Sequence, residues 1–309
     1  MVDTTMTVIE LLASSPAVFT GTCLVLGLVV GSFLNVVIYR LPVMLERSWR
    51  EQCAQSSGEA AAATVPAVGA AQRFNLVVPR STCPACGAPI AARHNIPLIS
   101  WVLLRGHCAS CGEPISVRYP LVEALSGALC AAVAWKFGFG WQAFAALTLT
   151  WFLIVLAFID VDHQLLPDSL TLPLLWLGLL LSLWGGQAGV SPPPADVRSS
   201  LIGAMAGYAS LWSVYHLFRL LTGKEGMGYG DFKLFAALGA WLGWQMLLPI
   251  ILMAAAVGSV VGIALIALRG RERSTPIAFG PFLAAAGWLM LMFGQPLLAA
   301  YLGLFAARP

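Results

Sequence analysis

Charge is scarce in this chain. Only 10% of its 309 residues are Asp, Glu, Lys or Arg, whereas a soluble domain has about 25%. Hydrophobic residues make up 59% of the sequence, against roughly 45–50% in soluble domains. This composition excludes a water-soluble globular protein and places the chain in a lipid bilayer.

Long apolar runs determine the expected architecture. They lack the strict alternation of apolar and polar residues that strands of a transmembrane barrel require, so a closed β-barrel is excluded. The runs that are long enough to cross a bilayer, or nearly so, cover residues 17–39, 120–137, 141–159, 169–185, 200–221, 232–245, 247–268 and 278–305. The sequence therefore predicts an all-α polytopic membrane protein of about eight transmembrane helices. Because the fourth and sixth runs are short, seven helices is the alternative.

Lys and Arg are distributed unevenly along the chain. Residues 1–18 contain neither, which makes them a poor start for a secretory signal peptide. If the polar segment after the first run is cytoplasmic, 14 of the 17 basic residues lie on the cytoplasmic side, and only Lys136, Arg198 and Arg308 lie outside. This bias follows the positive-inside rule and places both termini outside the cytoplasm. The net charge of +3 then reflects topology, and we expect no nucleic-acid partner.

The segment 41–119 is the one sizeable polar stretch, and its composition changes along its length. Residues 54–72 are small and low in complexity, so they are predicted to be a disordered insertion. The later part contains two Cys-x-x-Cys-Gly sequences with 21 residues between the pairs, beginning at Cys83 and at Cys108. This part is expected to form a cytoplasmic loop domain.

The paired Cys-x-x-Cys turns predict a metal site. Two such turns supply the four thiolates of a tetrahedral zinc ion, and four thiolates leave no open position, so the zinc is structural. Two disulfides are the alternative, which the reducing cytoplasm disfavours. The other cysteines, Cys23, Cys53 and Cys130, are expected to be unpaired, with Cys23 and Cys130 as packing residues. The predicted zinc ligands are Cys83, Cys86, Cys108 and Cys111.

The first apolar run carries small and polar residues at helical spacing. Gly27 and Gly31 form a small-x-x-x-small face that permits close contact with another helix. Ser32, Asn35 and Tyr39 share one face. Two interpretations remain open for that face: hydrogen bonds between helices, or the lining of a polar cavity near the cytoplasmic side.

Two loops between apolar runs carry aspartates, and the first contains Asp160, Asp162 and Asp168. A carboxylate at the edge of a bilayer is costly, and where it persists it does chemistry or carries ions. Asp160 adjoins the apolar run and is expected to lie deepest, while Asp162 points about 200° away around a continuing helix. Pro167 ends that helix. The alternative roles are a solvated loop charge for Asp162 and helix capping for Asp168.

The second loop contains Gly226, Gly228 and Gly230, followed by Asp231. The glycines allow the backbone to bend and let a peptide or a partner helix come close. A phosphate-binding loop is disfavoured, because no strand precedes these glycines and no Walker Lys-Ser/Thr follows them. Asp231 is either a plain N-cap or a functional carboxylate, and the presence of an aspartate on the same predicted face of the membrane favours the second interpretation.

Asp160 and Asp231 together predict one catalytic site. Two close carboxylates cannot both ionise cheaply, so they tend to share a proton. The ionised member can take a proton from water while the protonated member polarises a peptide carbonyl, which is the chemistry of aspartic proteases. Because the pair titrates as a unit, the base and the acid are not assigned individually at this point.

Two other functional classes explain part of these features. A proton-coupled transporter also uses carboxylates at the edge of the bilayer, but it often shows inverted repeats, and none is evident here. A zinc-ribbon membrane scaffold explains the cysteines and leaves the two aspartate motifs unexplained. Peptidase activity of the purified protein would distinguish an aspartic protease from these two classes.

The motifs resemble those of a known family. Gly228-Tyr229-Gly230-Asp231 is similar to the Gly-x-Gly-Asp signature of intramembrane aspartic proteases. The chain as a whole resembles the bacterial type IV prepilin peptidases, over nearly its full length outside 1–16 and 54–72. The segments that carry this resemblance are Gly31 to Pro42, the two Cys-x-x-Cys turns, Arg118 to Glu123, Asp160 to Asp168 and the Gly-x-Gly-Asp motif.

The resemblance implies a substrate and two reactions. Members of this family cleave the basic leader from type IV prepilins and type II secretion pseudopilins, at the cytoplasmic face of the bacterial inner membrane. Those with the cysteine-containing loop then methylate the new N-terminal amine with S-adenosylmethionine. By motif position Asp160 and Asp231 are the catalytic pair, and no motif marks the residues that bind S-adenosylmethionine. The implied partners are these substrates and the lipid bilayer.

The expected domain organisation follows from the same features. Residues 1–40 form the first transmembrane helix with a periplasmic N-terminus. Residues 41–119 form the cytoplasmic zinc-binding domain, and residues 120–309 form the transmembrane peptidase domain.

Overall fold

The computed structural model describes residues 7–56, 74–91, 96–185, 195–224, 226–269 and 277–306. Within these ranges the chain forms α-helices, a 3-10 turn at Trp244–Met246 and two isolated β-bridges. The helices are α1 (Val8–Ser14), α2 (Pro16–Ser56), α3 (Ile99–Leu103), α4 (Arg118–Phe137), α5 (Trp141–His163), α6 (Asp168–Gly185), α7 (Val197–Thr222), α8 (Tyr229–Leu242), α9 (Leu247–Arg269) and α10 (Gly280–Ala306).

Each of the eight apolar runs forms a helix, namely α2 and α4 to α10. Four helical stretches of the described chain are long and apolar enough to cross a membrane: Pro16–Ser56, Arg118–Phe137, Trp141–His163 and Trp244–Leu268. Asp168–Leu183 is a shorter apolar helix. The prediction of an all-helical membrane protein is confirmed, and the number of eight spans stays a prediction.

Helix α2 extends well beyond the apolar run that begins it. Its 41 residues correspond to a length of about 62 Å, twice the roughly 30 Å of the hydrocarbon core. It continues through Pro42 into a polar stretch in which Glu46 and Arg50 form an i,i+4 ion pair. The end of apolar character therefore does not mark the end of the helix. Residues 54–56 of the predicted insertion are helical, and 57–72 lie outside the described residues.

The chain divides into two compact units, one of residues 23–129 and one of residues 1–22 with 130–309. In the first unit, α2 and α4 approach closely at Gly31, where a Cβ would lie 2.9 Å from the Glu123 Cα. Asn35 donates its side-chain N–H to the Tyr119 carbonyl at 3.1 Å. Asn35 therefore makes the interhelical hydrogen bond that was one of the two interpretations of the polar face. Tyr39, on the same face, is exposed.

The polar half of α2 anchors the segment that follows it. Arg40 is buried and donates to the carbonyls of Asn75 and Pro79 at 2.9 and 2.7 Å. The guanidinium groups of Arg40 and Arg47, which are seven residues apart and so share a face, both lie over the Phe74 ring. The basic residues here hold backbone and aromatic groups in place as well as contributing charge.

In the second unit, α8 is enclosed by neighbouring helices. Except for Lys233, its residues from Asp231 to Leu242 are buried, as expected for a helix that is apolar on all sides. It crosses α7 with backbone against backbone, because a Cβ on Gly203 would collide with the Gly239 carbonyl. Nearer to Asp231, the two backbones are close again, because a Cβ on Gly207 would lie 2.8 Å from the Phe235 carbonyl oxygen.

Candidate active site and metal centre

Asp160 lies near the end of α5, and its side chain is buried with 5% of its surface exposed. It accepts a hydrogen bond at Oδ2 from the backbone N–H of Gly280, the first residue of α10, at 2.9 Å. The helix ends three residues later at His163, and the following residue, Gln164, adopts a left-handed conformation. The expectation that Asp160 is the deepest aspartate of its loop is confirmed, since Asp162 is exposed.

Asp231 lies in the first turn of α8 and is 6% exposed. The N-cap of this helix is Gly228, so the interpretation of Asp231 as the N-cap is wrong. Oδ1 of Asp231 is enclosed and has no hydrogen-bond partner among the described residues. A buried polar atom without a partner is costly, which marks this carboxyl as a group kept for something other than stability.

The structure brings these two aspartates together although 71 residues separate them in the sequence. A negative charge on Asp160 lies close enough to act on the carboxyl of Asp231. Both side chains are buried, so water screens their repulsion only weakly. A single shared proton relieves that repulsion, and the pair then contains one acid and one base.

Leu166, in the loop after α5, packs against both of the other chain segments at the site. A Cβ on Gly230 would lie 2.6 Å from the Leu166 Cβ, and a Cβ on Gly280 would lie 3.2 Å from its Cδ1. Neither glycine has a positive φ. Glycine is therefore required at both positions because the neighbouring chain comes close, as predicted for the loop before Asp231. The backbone conformation itself would allow other residues.

Asp168 is the first residue of α6 and forms an ion pair with Lys233 of α8. The Lys233 Nζ lies 2.5 and 2.7 Å from the two carboxylate oxygens of Asp168. This contact joins the two aspartate-bearing loops. Sequence reasoning considered only helix capping for Asp168 and missed the ion pair, although Lys233 stands two residues after Asp231.

Sequence reasoning also missed Gly280. Its signal in the sequence is faint, a Gly-Pro pair at the start of the last apolar run. Only the packing of α10 against α5 brings its N–H to Asp160.

The four predicted zinc ligands form one cluster. Their sulfur atoms all lie within 4.8 Å of one another, and Cys83 Sγ and Cys111 Sγ are 3.9 Å apart. Thiolates around a zinc ion at about 2.3 Å would be about 3.8 Å apart. A disulfide needs about 2.05 Å, and none is present in the described residues. The donor set therefore fits a tetrahedral metal ion.

The two cysteine turns have the same backbone geometry. The N–H of Cys83 donates to the Ala88 carbonyl at 2.9 Å, and the N–H of Cys108 donates to the Glu113 carbonyl at 2.8 Å. Each turn is closed by a β-bridge, between Thr82 and Pro89 and between His107 and Pro114. Gly87 and Gly112 have φ of +68° and +74°.

Backbone N–H groups within the turns favour thiolates. Those of Ser110 and Cys111 lower the pKa of the Cys108 thiol from 9.0 to about 6. The Glu113 N–H likewise lowers the pKa of the Cys111 thiol, but desolvation and the neighbouring thiols outweigh it and raise that pKa to about 12. Zinc binds the deprotonated form, so its binding here would release protons. Outside this cluster, Cys23 and Cys130 are buried, as expected for packing residues.

Comparison with known proteins gives matches along both halves of the chain. The family model for the bacterial peptidase A24 N-terminal domain matches residues 25–137, which include the four cysteines of the cluster. The model for the type IV leader peptidase family matches residues 147–263, which include Asp160 and Asp231. No solved structure matches.

Several curated relatives match over nearly their whole length. The chain is 54% identical over 297 residues to the prepilin leader peptidase/N-methyltransferase of Stutzerimonas stutzeri, covering 96% of this chain and 98% of that protein. It is 51% identical over 294 residues to the protein of the same name from Aeromonas salmonicida strain A449, with 95% and 97% covered. The protein of that name from Pseudomonas aeruginosa is 50% identical over 300 residues, with 96% and 98% covered.

Proposed function

We propose, for a chain that belongs to the type IV leader peptidase family, that Asp160 and Asp231 are the catalytic pair of its peptidase activity. The chain is a peptidase and an N-methyltransferase: it cleaves leader peptides from prepilins and methylates the N-terminal amine. One observation carries the assignment of the pair. Two buried carboxylates from distant parts of the sequence meet around Leu166, and Asp231 has an oxygen without a partner among the described residues. Leu166 packs against Gly230 beside Asp231 and against Gly280, the hydrogen-bond donor to Asp160.

The pair supports direct hydrolysis of a peptide bond by water. One carboxylate takes a proton from water, whose oxygen attacks the peptide carbonyl, and the other carboxyl protonates the carbonyl oxygen. A dry surrounding strengthens both interactions. No covalent enzyme intermediate is needed, because both aspartates act only through protons.

Two cofactors belong to this proposal. Cys83, Cys86, Cys108 and Cys111 would hold one structural zinc ion, which stabilises the loop domain and takes no part in the chemistry. S-adenosylmethionine supplies the methyl group, and no residue of the chain is assigned to its binding.

We further propose an orientation in the bacterial inner membrane with the catalytic pair at the cytoplasmic face. The positive-inside bias supports it. Eight spanning helices and the division into residues 1–40, 41–119 and 120–309 belong to the same proposal. A substrate with a basic leader followed by an apolar segment obeys the same rule, so its scissile bond reaches the level of the two carboxylates. The substrates are type IV prepilins and type II secretion pseudopilins.

Mass spectrometry of a prepilin incubated with the purified protein tests this function. Without S-adenosylmethionine the product should lose only the leader, and with it the mature product should gain one methyl group. Cleavage that persists in both Asp160→Asn and Asp231→Asn would show that these aspartates are not the catalytic pair. An intact prepilin with the wild-type protein would remove the peptidase function itself.

A further inference from the structure

The backbone N–H of Gly280 donates a hydrogen bond to Asp160 from a third segment of the chain. The first N–H groups of an α-helix have no partner within the helix, and Gly280 begins the 27 residues of α10. Its N–H donates to Asp160 Oδ2 at 2.9 Å in a buried contact. The positive end of the α10 helix dipole therefore faces the Asp160 carboxylate and stabilises its negative charge.

Glycine is required at position 280 for this contact. A Cβ there would lie 2.6 Å from Asp160 Oδ2, closer than a real Cβ approaches any heavy atom. Any side chain would push the carboxylate away from the N–H that it accepts.

Asp231 also accepts a hydrogen bond from one backbone N–H, that of Gly228. It differs from Asp160 at its second oxygen: Oδ1 of Asp231 is enclosed without a partner among the described residues, and no oxygen of Asp160 is. An ionised carboxylate needs donors for its oxygens when it is buried, and a neutral carboxyl needs fewer. The proton of the pair therefore belongs on Asp231.

We propose that Gly280 is a positioning residue of the peptidase site, which keeps Asp160 ionised as the proton acceptor and leaves the proton on Asp231 as the donor. The inference rests on the proposed catalytic pair and goes beyond it by assigning the two roles and a third chain segment.

The assignment gives a balanced reaction. Asp160 takes a proton from water, the water oxygen bonds to the carbonyl carbon, and the carbonyl oxygen takes the proton of Asp231. In the second half, the leaving nitrogen takes the proton from Asp160 as the C–N bond breaks, and one hydroxyl proton of the intermediate returns to Asp231. Both groups end in their starting states.

A kinetic comparison tests the role of Gly280. Gly280→Ala should lower kcat for prepilin cleavage by about 100-fold, the effect of displacing a reacting group by about 1 Å, and should leave KM unchanged. The matched control is Gly287→Ala in the same helix, where a Cβ would meet the Leu238 side chain at 2.5 Å, away from the site. Equal kcat values for the two variants would overturn the proposal, whereas an active Asp160→Asn would instead overturn the catalytic pair.

Chemical labelling of the wild-type enzyme tests the role assignment even if Gly280→Ala does not fold. An epoxide is opened by an ionised carboxylate, so a small epoxide that inactivates the enzyme should leave its ester on Asp160, located by peptide mass spectrometry. An ester on Asp231, or none on Asp160 at an inactivating concentration, would contradict the assignment.

Discussion

At the scale of single residues, burial separates the four aspartates of the two loops. Asp160 and Asp231 are enclosed, Asp162 is exposed, and Asp168 is held by Lys233. The sequence predicted the depth of Asp160 from its place at the end of an apolar run and from the angle to Asp162. It could not predict the Gly280 contact, because two residues 120 positions apart meet only through helix packing.

We expect Asp160→Asn and Asp231→Asn each to reduce prepilin cleavage by about 1000-fold or more, since catalytic groups that act as a unit fail together. Asn keeps the size of Asp and an oxygen that accepts a hydrogen bond, so the unfolding temperature in detergent should not fall. Asp162→Asn is the matched control, and it should cleave at close to the wild-type rate. Cleavage assays with thermal unfolding of the same preparations provide the measurement.

The Asp168–Lys233 ion pair makes a second prediction at this scale. The Asp168 side chain is 58% exposed, and such pairs contribute only about 0–1 kcal/mol. Asp168→Ala should therefore slow cleavage by about fivefold at most, the equivalent of about 1 kcal/mol. The reversed pair, Asp168→Lys with Lys233→Asp, should recover part of the rate. Equal losses in Asp168→Ala and in the reversed pair would show that the contact does not join the loops.

At the scale of elements, the helices were predictable and their contacts were not. Apolar periods and lengths identify α2 and α4 to α10, yet nothing in the sequence shows that Gly203 faces Gly239. The end of α2 was missed for another reason: its polar half is stabilised by ion pairing and by Arg40 and Arg47, which leave no trace in a hydropathy pattern.

The close crossing of α7 and α8 predicts that a larger side chain at the contact lowers the stability of the protein. Gly203→Ala should destabilise the protein by about 1–3 kcal/mol, the usual cost of overpacking, because the obstacle is the Gly239 backbone. Gly21→Ala in α2 is the control, since a Cβ there meets nothing within 4 Å, and it should not lower stability. Thermal unfolding in detergent compares the two variants. A similar unfolding temperature for both would mean that the helices separate without cost.

At the scale of the whole molecule, the cysteine cluster and the aspartate pair belong to different compact units. The cluster belongs to residues 23–129, and Asp160 and Asp231 belong to the other unit. Composition and spacing were enough to predict a helical membrane protein with a cluster of four cysteines, because both depend on residue types and their order. The boundary between the units was not predictable, since α2 and α4 each contribute to both.

Zinc content and activity together test whether the cysteine cluster binds a metal independently of the aspartate pair. Metal analysis of the purified protein should give about one zinc per chain. A Cys83→Ser, Cys108→Ser double variant should bind none and lose thermal stability, and methylation should suffer more than cleavage because the aspartate pair lies in the other unit. Full zinc content in that variant would rule out the four-thiolate site, and Cys53→Ser serves as the control with unchanged zinc.

The matching backbone geometry of the cysteine turns indicates that the cluster consists of two copies of one short sequence unit. Residues 82–90 and 107–115 share five of nine residues at a constant offset of 25. The hydrogen bond from Ile90 to the Ser81 carbonyl, 2.9 Å, is repeated from Ile115 to the Gly106 carbonyl, 2.7 Å. Two equivalent copies are interchangeable. Exchanging residues 83–90 with 108–115 should therefore keep one zinc per chain, whereas replacing either copy with a glycine-serine linker should lose the metal, because one copy supplies only half of a tetrahedron.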